Sequence, residues 1–188
     1  MARSRSICQC APLDSGRLRL QSQTRLHRAA GPRHLAFHPD RTTVYVVNEL
    51  DSMVTACGYD PHSGRLEPRE TVRTVASGTP VDNYPSAVLV SPDGRFVYFV
   101  YVANRFVGDR GHDSVGVLAT EPHLRLVATY PCGQFPRDMA LADGGRLLYV
   151  ANERADVVQG LAVDRADGSL RPTSLTLAVP KPTCFLPV

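Results

Sequence analysis

The chain has 188 residues, 43% of them hydrophobic, and a formal net charge of +3. That is enough material for a packed core, and no apolar run approaches the ~20 residues of a membrane-spanning helix, so a membrane is not an expected partner. Residues 1–33 carry seven Arg against one Asp. No Phe, Tyr or Trp interleaves with those arginines as a base-stacking surface requires, so nucleic acid is not an expected partner either.

The first ten residues are charged and lack the apolar stretch of a signal peptide, which points to a cytoplasmic location, with residues 1–6 expected to be disordered. Residues 7–13 read as a strand. Asp14-Ser15-Gly16 reads as a turn, and Arg17 to Leu26 as a second strand in which Leu alternates with Arg. Five cysteines at positions 8, 10, 57, 132 and 184 include no C-x-x-C pair; the expected state is reduced.

Gly31 to Leu50 is the informative stretch. Leu35 and Phe37 mark one strand, Val44-Tyr45-Val46-Val47 a second, and His38-Pro39-Asp40-Arg41 the turn between them. A hairpin brings its outer ends together, so Arg33, His34, Asn48 and Glu49 are expected to converge opposite the turn. Val54 to Leu66 then supplies a third strand and an Asp…Gly turn into a fourth.

The same pattern returns from Tyr84, with Ser91-Pro92-Asp93-Gly94 as its turn, and again from Phe135, ending on Asn152-Glu153. A further copy begins at Lys181-Pro182-Thr183. The prolines at 32, 85, 136 and 182 recur about every 50 residues, a period of propellers and solenoids. No stretch keeps a helical apolar period. The expected fold is therefore all-β: one domain over residues 1–188, a partial β-propeller of four-stranded antiparallel blades. It would hold about three whole blades, near 32–75, 85–130 and 136–179, plus two partial ones. Open blade edges invite self-association; alternatively, the N-terminal strands and the C-terminal strand could complete a fourth blade and close the ring. The stretch 98–114 exceeds its counterparts and predicts a bulge or a longer lip.

Successive connections of an up-and-down blade fall on opposite faces. Arg33, His34, Asn48, Glu49, Asn104, Arg105, Arg137, Asp138, Asn152 and Glu153 are thus expected on one face. His38, His62 and His123 fall in turns on the other, and His112 is ambiguous. Asn48, Asn104, Asn152 and Glu49 could alternatively hold Ca²⁺ through oxygen, although their spacing does not demand it.

Gly31-Pro32-Arg33-His34, Phe37-His38-Pro39, Asn48-Glu49-Leu50, Ser91-Pro92-Asp93-Gly94-Arg95, Asn104-Arg105 and Pro136-Arg137-Asp138 together resemble the seven-bladed lactonase propeller family. That family includes propeller-type bacterial 6-phosphogluconolactonase and carboxymuconate cyclase. The resemblance runs from about Asp14 to Pro187 and covers the C-terminal part of the family fold, roughly half of its seven blades. It implies a small acidic lactone as partner and a catalytic set that falls on His34, Glu49 and Arg105, with no cofactor and no metal. Arg33, Asn48, Asn104, Arg110 and Arg137 fall where substrate would bind. The family pattern Asn-Arg-Gly-His-Asp-Ser is split here, so Arg105 or Arg110 could be the family arginine.

For such a reaction His34 or Glu49 could serve as general base, with Arg33, Arg105 or Arg137 holding the oxyanion or a phosphate. No G-x-S-x-G motif is present, which favours attack by water over an acyl-enzyme. The competing expectations are a non-catalytic binding propeller, with Glu49 and Arg33 merely ion-paired and Arg137-Asp138 a local pair, and a muconate-type cyclase.

Overall fold

Fifteen prolines, fourteen glycines and many β-branched residues favour short strands joined by tight turns. The computed structural model, which describes residues 7–10, 13–14, 16–77, 83–92, 99–106 and 113–186, is built that way. Among the described residues there is no α-helix, only two short 3₁₀ turns at Asp143–Gly145 and Glu153–Ala155.

Strands β1 (Ile7–Cys10) and β4 (Ser22–Arg25) pair antiparallel, and β2 (Leu13–Asp14) and β3 (Arg17–Leu18) continue their hairpin to the turn. Three four-stranded antiparallel meanders follow. The first blade is β5 (Pro32–Phe37), β6 (Thr43–Asn48), β7 (Met53–Asp60) and β8 (Arg65–Arg73). The second is β9 (Asn83–Val90), β10 (Phe99–Phe106), β11 (Ser114–Ala119) and β12 (Arg125–Pro131). The third is β13 (Pro136–Ala142), β14 (Leu147–Asn152), β15 (Val157–Val163) and β16 (Leu170–Ala178). The blade limits all lie within two residues of those expected from the proline period.

The outer turns of the first and third blades repeat the same two hydrogen bonds. Gly64 N–H donates to the Asp60 carbonyl and Gly168 N–H to that of Asp164, each at 2.8 Å, and Asp60 and Asp164 each cap the second following amide. The glycines hold left-handed φ of 67° and 74°, and Gly16 does so at 77°.

Each blade shares a core with its neighbours. Leu26, Ala30, Val44, Val46 and Cys57 pack between the N-terminal hairpin and the first blade. Tyr45, Val47, Val54, Val88 and Leu118 fill the next interface, and Ala103, Val117, Met139, Leu148 and Leu161 the one after. The inner strand β9 lies against both β5 and β13. The fourth-blade closure raised above does not occur: β1 and β4 pair only with each other, and residues 179–186 form no strand. The expected lip between β10 and β11 falls on residues 107–112, outside the described residues.

One irregularity sits at the same place in every blade. On the inner strand the register slips by one residue just after the proline: Pro32 faces Asn48 but His34 faces Val47, and Pro136 faces Asn152 but Asp138 faces Ala151. Pro85 faces Asn104 while Val88 faces Val102. A bulge therefore inserts Arg33, a residue of the Ser86-Ala87 pair, and Arg137 at one common rim.

Leu148 is fully buried between two blades, whereas Leu186 is 86% exposed. Leu148→Ala is expected to lower unfolding free energy by about 2–5 kcal/mol and Leu186→Ala by no more than about 0.5 kcal/mol, read from denaturant midpoints.

Candidate functional site

The bulged residues bind one blade to the next. Arg33 Nη1 donates to the Ser86 carbonyl on β9, and Ser86 Oγ donates to the Pro136 carbonyl on β13 at 2.7 Å. The residue after each bulge accepts from the following inner strand. His34 Nδ1 takes the Val88 N–H at 3.4 Å, and Asp138 Oδ2 takes the Phe185 N–H at 2.9 Å. Val88 and Phe185 are each the third residue after their proline. The two bonds are thus one contact repeated, and Phe185 stands where a following inner strand would begin.

This equivalence fixes the imidazole. A carboxylate oxygen accepts, so the same place in the first blade calls for an accepting Nδ1, and a neutral ring then carries its proton on Nε2. The pKa of His34 is lowered from its ordinary 6.5, chiefly by partial burial and further by the Arg33 charge, with Asp138 opposing. His34 and Asp138 line one groove of about 490 Å³ along the inner strands, walled by Leu89, Met139, Leu141 and Phe185.

Glu49 follows the end of β6 and anchors the charged part of the site. Its Oε1 bonds to Arg105 Nη2 from the second blade and lies 3.6 Å from Arg33 Nε of its own. Arg105 is 4% exposed, and its Nε donates to the Tyr84 carbonyl at 2.9 Å, so its orientation is set from both ends. Arg137 Nε lies 3.3 Å from Glu153 Oε2, a charge pair without hydrogen-bond alignment at Nε. The Arg33 pKa is lowered, first by burial and then by Arg105, with Arg137 also pressing on it; Glu49 and Asp138 oppose. Three guanidiniums crowded this closely leave a place that favours an anion.

Arg33, Glu49 and Arg105 therefore come together across two blades, with Arg137 nearby and His34 at the adjoining end of the groove. Asn48 and Asn104 do not face it. Both are fully buried: Asn48 Nδ2 donates to Thr55 Oγ1 at 3.0 Å, and Asn104 Nδ2 donates to the Thr74 carbonyl while its Oδ1 accepts from Asn83. Asn48 ties β6 to β7, and Asn104 ties β10 to the end of the first blade and the start of β9. Asn152, at the same position of the third blade, is equally buried. Arg110 lies outside the described residues. Among the described residues no group of three or more His, Cys, Asp or Glu is placed to hold a metal ion.

Sequence reasoning left Asp138 as half of a local pair, yet it occupies the place of His34 in its own blade. Aligning the repeats on their prolines is the signal that finds it. The same alignment exposes Phe135, which precedes Pro136 as Gly31 precedes Pro32. Its ring lies within cation–π reach of three arginines.

Comparison with known proteins gives the family. The family described as Lactonase, 7-bladed beta-propeller matches residues 9–187, and the chain belongs to it. A 6-phosphogluconolactonase of Bacillus subtilis (strain 168) is 32% identical over 161 residues, 82% of this chain and 43% of that protein. Among solved structures, a Lactobacillus plantarum protein superposes with a TM-score of 0.84 at 28% identity, over 95% of this chain and 51% of its own. The periplasmic gluconolactonase of Pseudomonas aeruginosa superposes with a TM-score of 0.77, also at 28% identity, over 90% and 46%. The chain spans about half the length of the relatives it matches.

Because folding lowers the His34 pKa, the unfolded chain takes up this proton at higher pH than the folded one. Stability then falls as pH drops through the ordinary value of 6.5. Denaturant midpoints at about pH 5 and about pH 7.5 are expected to differ more for the wild type than for His34→Gln.

Proposed function

We propose that this chain hydrolyses the lactone of an acidic sugar, with 6-phosphogluconolactone as the first candidate and a place in carbohydrate metabolism. Two things support the reading: membership of the lactonase propeller family and relatives that carry the name 6-phosphogluconolactonase. The single observation that carries it is the meeting of Glu49 with Arg105 and Arg33, beside His34, at one rim of the inner strands.

The roles follow from the hydrogen bonds. Glu49 is gripped at Oε1, so Oε2 is the oxygen to take a proton from the attacking water. His34, with Nδ1 engaged by Val88, offers Nε2–H to the carbonyl oxygen as negative charge grows there. Arg33 backs His34 in stabilising the oxyanion, and the buried Arg105 holds the Glu49 carboxylate in place. Water adds to the carbonyl, its proton passes to Glu49, and collapse of the tetrahedral intermediate breaks the ring C–O bond. The departing oxygen then takes up a proton and leaves as the hydroxyl of the open acid.

A second reading, a binding propeller without catalysis, draws on one observation: the Glu49 carboxylate is already paired with Arg33 and Arg105. Hydrolysis of 6-phosphogluconolactone above the spontaneous rate separates the two. Glu49→Gln and His34→Gln are each expected to lower kcat/KM by about 10²–10⁴-fold. Turnover equal in both variants and the wild type would remove these residues from the reaction, and no turnover above background would leave the binding reading.

A further inference from the structure

The third blade repeats the rim of the first with two exchanges that belong together. In the first blade Gly31 has a left-handed φ of 64°, its carbonyl accepts the Glu49 N–H at 2.8 Å, and the Ala30 carbonyl accepts the Leu50 N–H at 3.1 Å. In the third, Phe135 has φ of 59°, its carbonyl accepts the Glu153 N–H at 3.0 Å, and the Gln134 carbonyl accepts the Arg154 N–H at 3.1 Å. Gly31 thus corresponds to Phe135, and Leu50 to Arg154. A Cβ at Gly31 would lie 2.4 Å from the Leu50 side chain, so the first blade is closed there by an apolar lid. In the third, the Arg154 guanidinium lies over the Phe135 ring at 3.9 Å.

A phenylalanine is an expensive choice at a left-handed φ, where the first blade uses Gly31, although Lys181 before Pro182 also takes one at 45°, and strain of this kind persists only where surrounding bonds enforce it. Here the Phe135 N–H donates to Asp113 Oδ2 at 2.7 Å and its carbonyl is held by Glu153. What the ring gains is three cations: Arg154 at 3.9 Å, Arg105 at 5.1 Å and Arg137 at 5.9 Å from its centroid. Arg105 and Arg137 each have a glutamate partner, Glu49 and Glu153. Arg154 is exposed and has no carboxylate partner among the described residues.

We propose that Phe135 is a positioning residue and Arg154 a specificity residue of this site. The strained ring ranks Arg105, Arg137 and Arg154 into one cationic wall, whose outer member grips an anionic group of the ligand remote from the reacting carbonyl. This rests on the acidic-lactone reading, but its test does not need turnover.

The probes are 6-phosphogluconate and gluconate, which differ by one phosphate, titrated by calorimetry into the full chain. The wild type is expected to prefer the phosphorylated acid. Arg154→Gln, an exposed change, and Phe135→Gly, which restores the first-blade residue and relieves the left-handed strain, are each expected to reduce the ratio of the two affinities about tenfold. Phe135→Gly should do so without lowering the melting temperature, which a purely structural ring would not allow, and Phe135→Tyr should restore the ratio. In wild type the Arg154 Nε–H resonance should carry the upfield shift of a stacked ring, lost in Phe135→Gly. A preference unchanged in both variants, or a wild type that does not distinguish the probes, overturns the proposal. A preference lost as described in a chain that hydrolyses no lactone would uphold the wall and discard the reaction.

Discussion

The site depends on one extra residue per inner strand. A regular strand would alternate its side chains, leaving the two residues after the proline on opposite faces. The bulge breaks that alternation at the rim, so that both have work in the same joint. Arg33 reaches the Ser86 carbonyl and Glu49, while His34 accepts from Val88 a short way along the same neighbouring strand. Ser86 repeats the donation one blade on, and Asp138 repeats the acceptance. The catalytic candidates are thus members of the contacts that hold inner strands side by side, altered in chemistry but not in place.

This explains a division of labour that residue types alone conceal. Asparagine and glutamate stand together at the end of the second strand in the first and third blades, and both look like ligands. The register sends them different ways: Asn48, Asn104 and Asn152 are fully buried, and Glu49 and Glu153 emerge at the rim beside arginines. Thr55 Oγ1 accepts from Asn48 Nδ2, the Thr74 carbonyl from Asn104 Nδ2, and the Val150 carbonyl from Asn152 Nδ2.

Much of this was legible. The proline period gave the blades, and the Asp…Gly turns are where the sequence puts them because left-handed glycine and a capping aspartate leave the chain little choice. The gathering of Arg33, His34, Glu49 and Arg105 followed from counting which connections share a face. What could not be read was the bulge in the first and third blades: a single slipped residue leaves no compositional trace there, and it decides that His34 is an acceptor at Nδ1 and that Asp138 is its counterpart. The stacking of Arg154 on Phe135 was equally hidden, because it pairs residues from two loops, and only the repeat alignment shows that each replaces a different residue of the first blade.

Blade-to-blade hydrogen bonds of fixed register also set direction. Each inner strand receives its neighbour at defined atoms, so the turn of the hub is specified at every joint and not by the meeting of distant ends. Superposition on a chain about twice as long, with a TM-score of 0.84, is the visible result: an arc with the curvature of the whole circle.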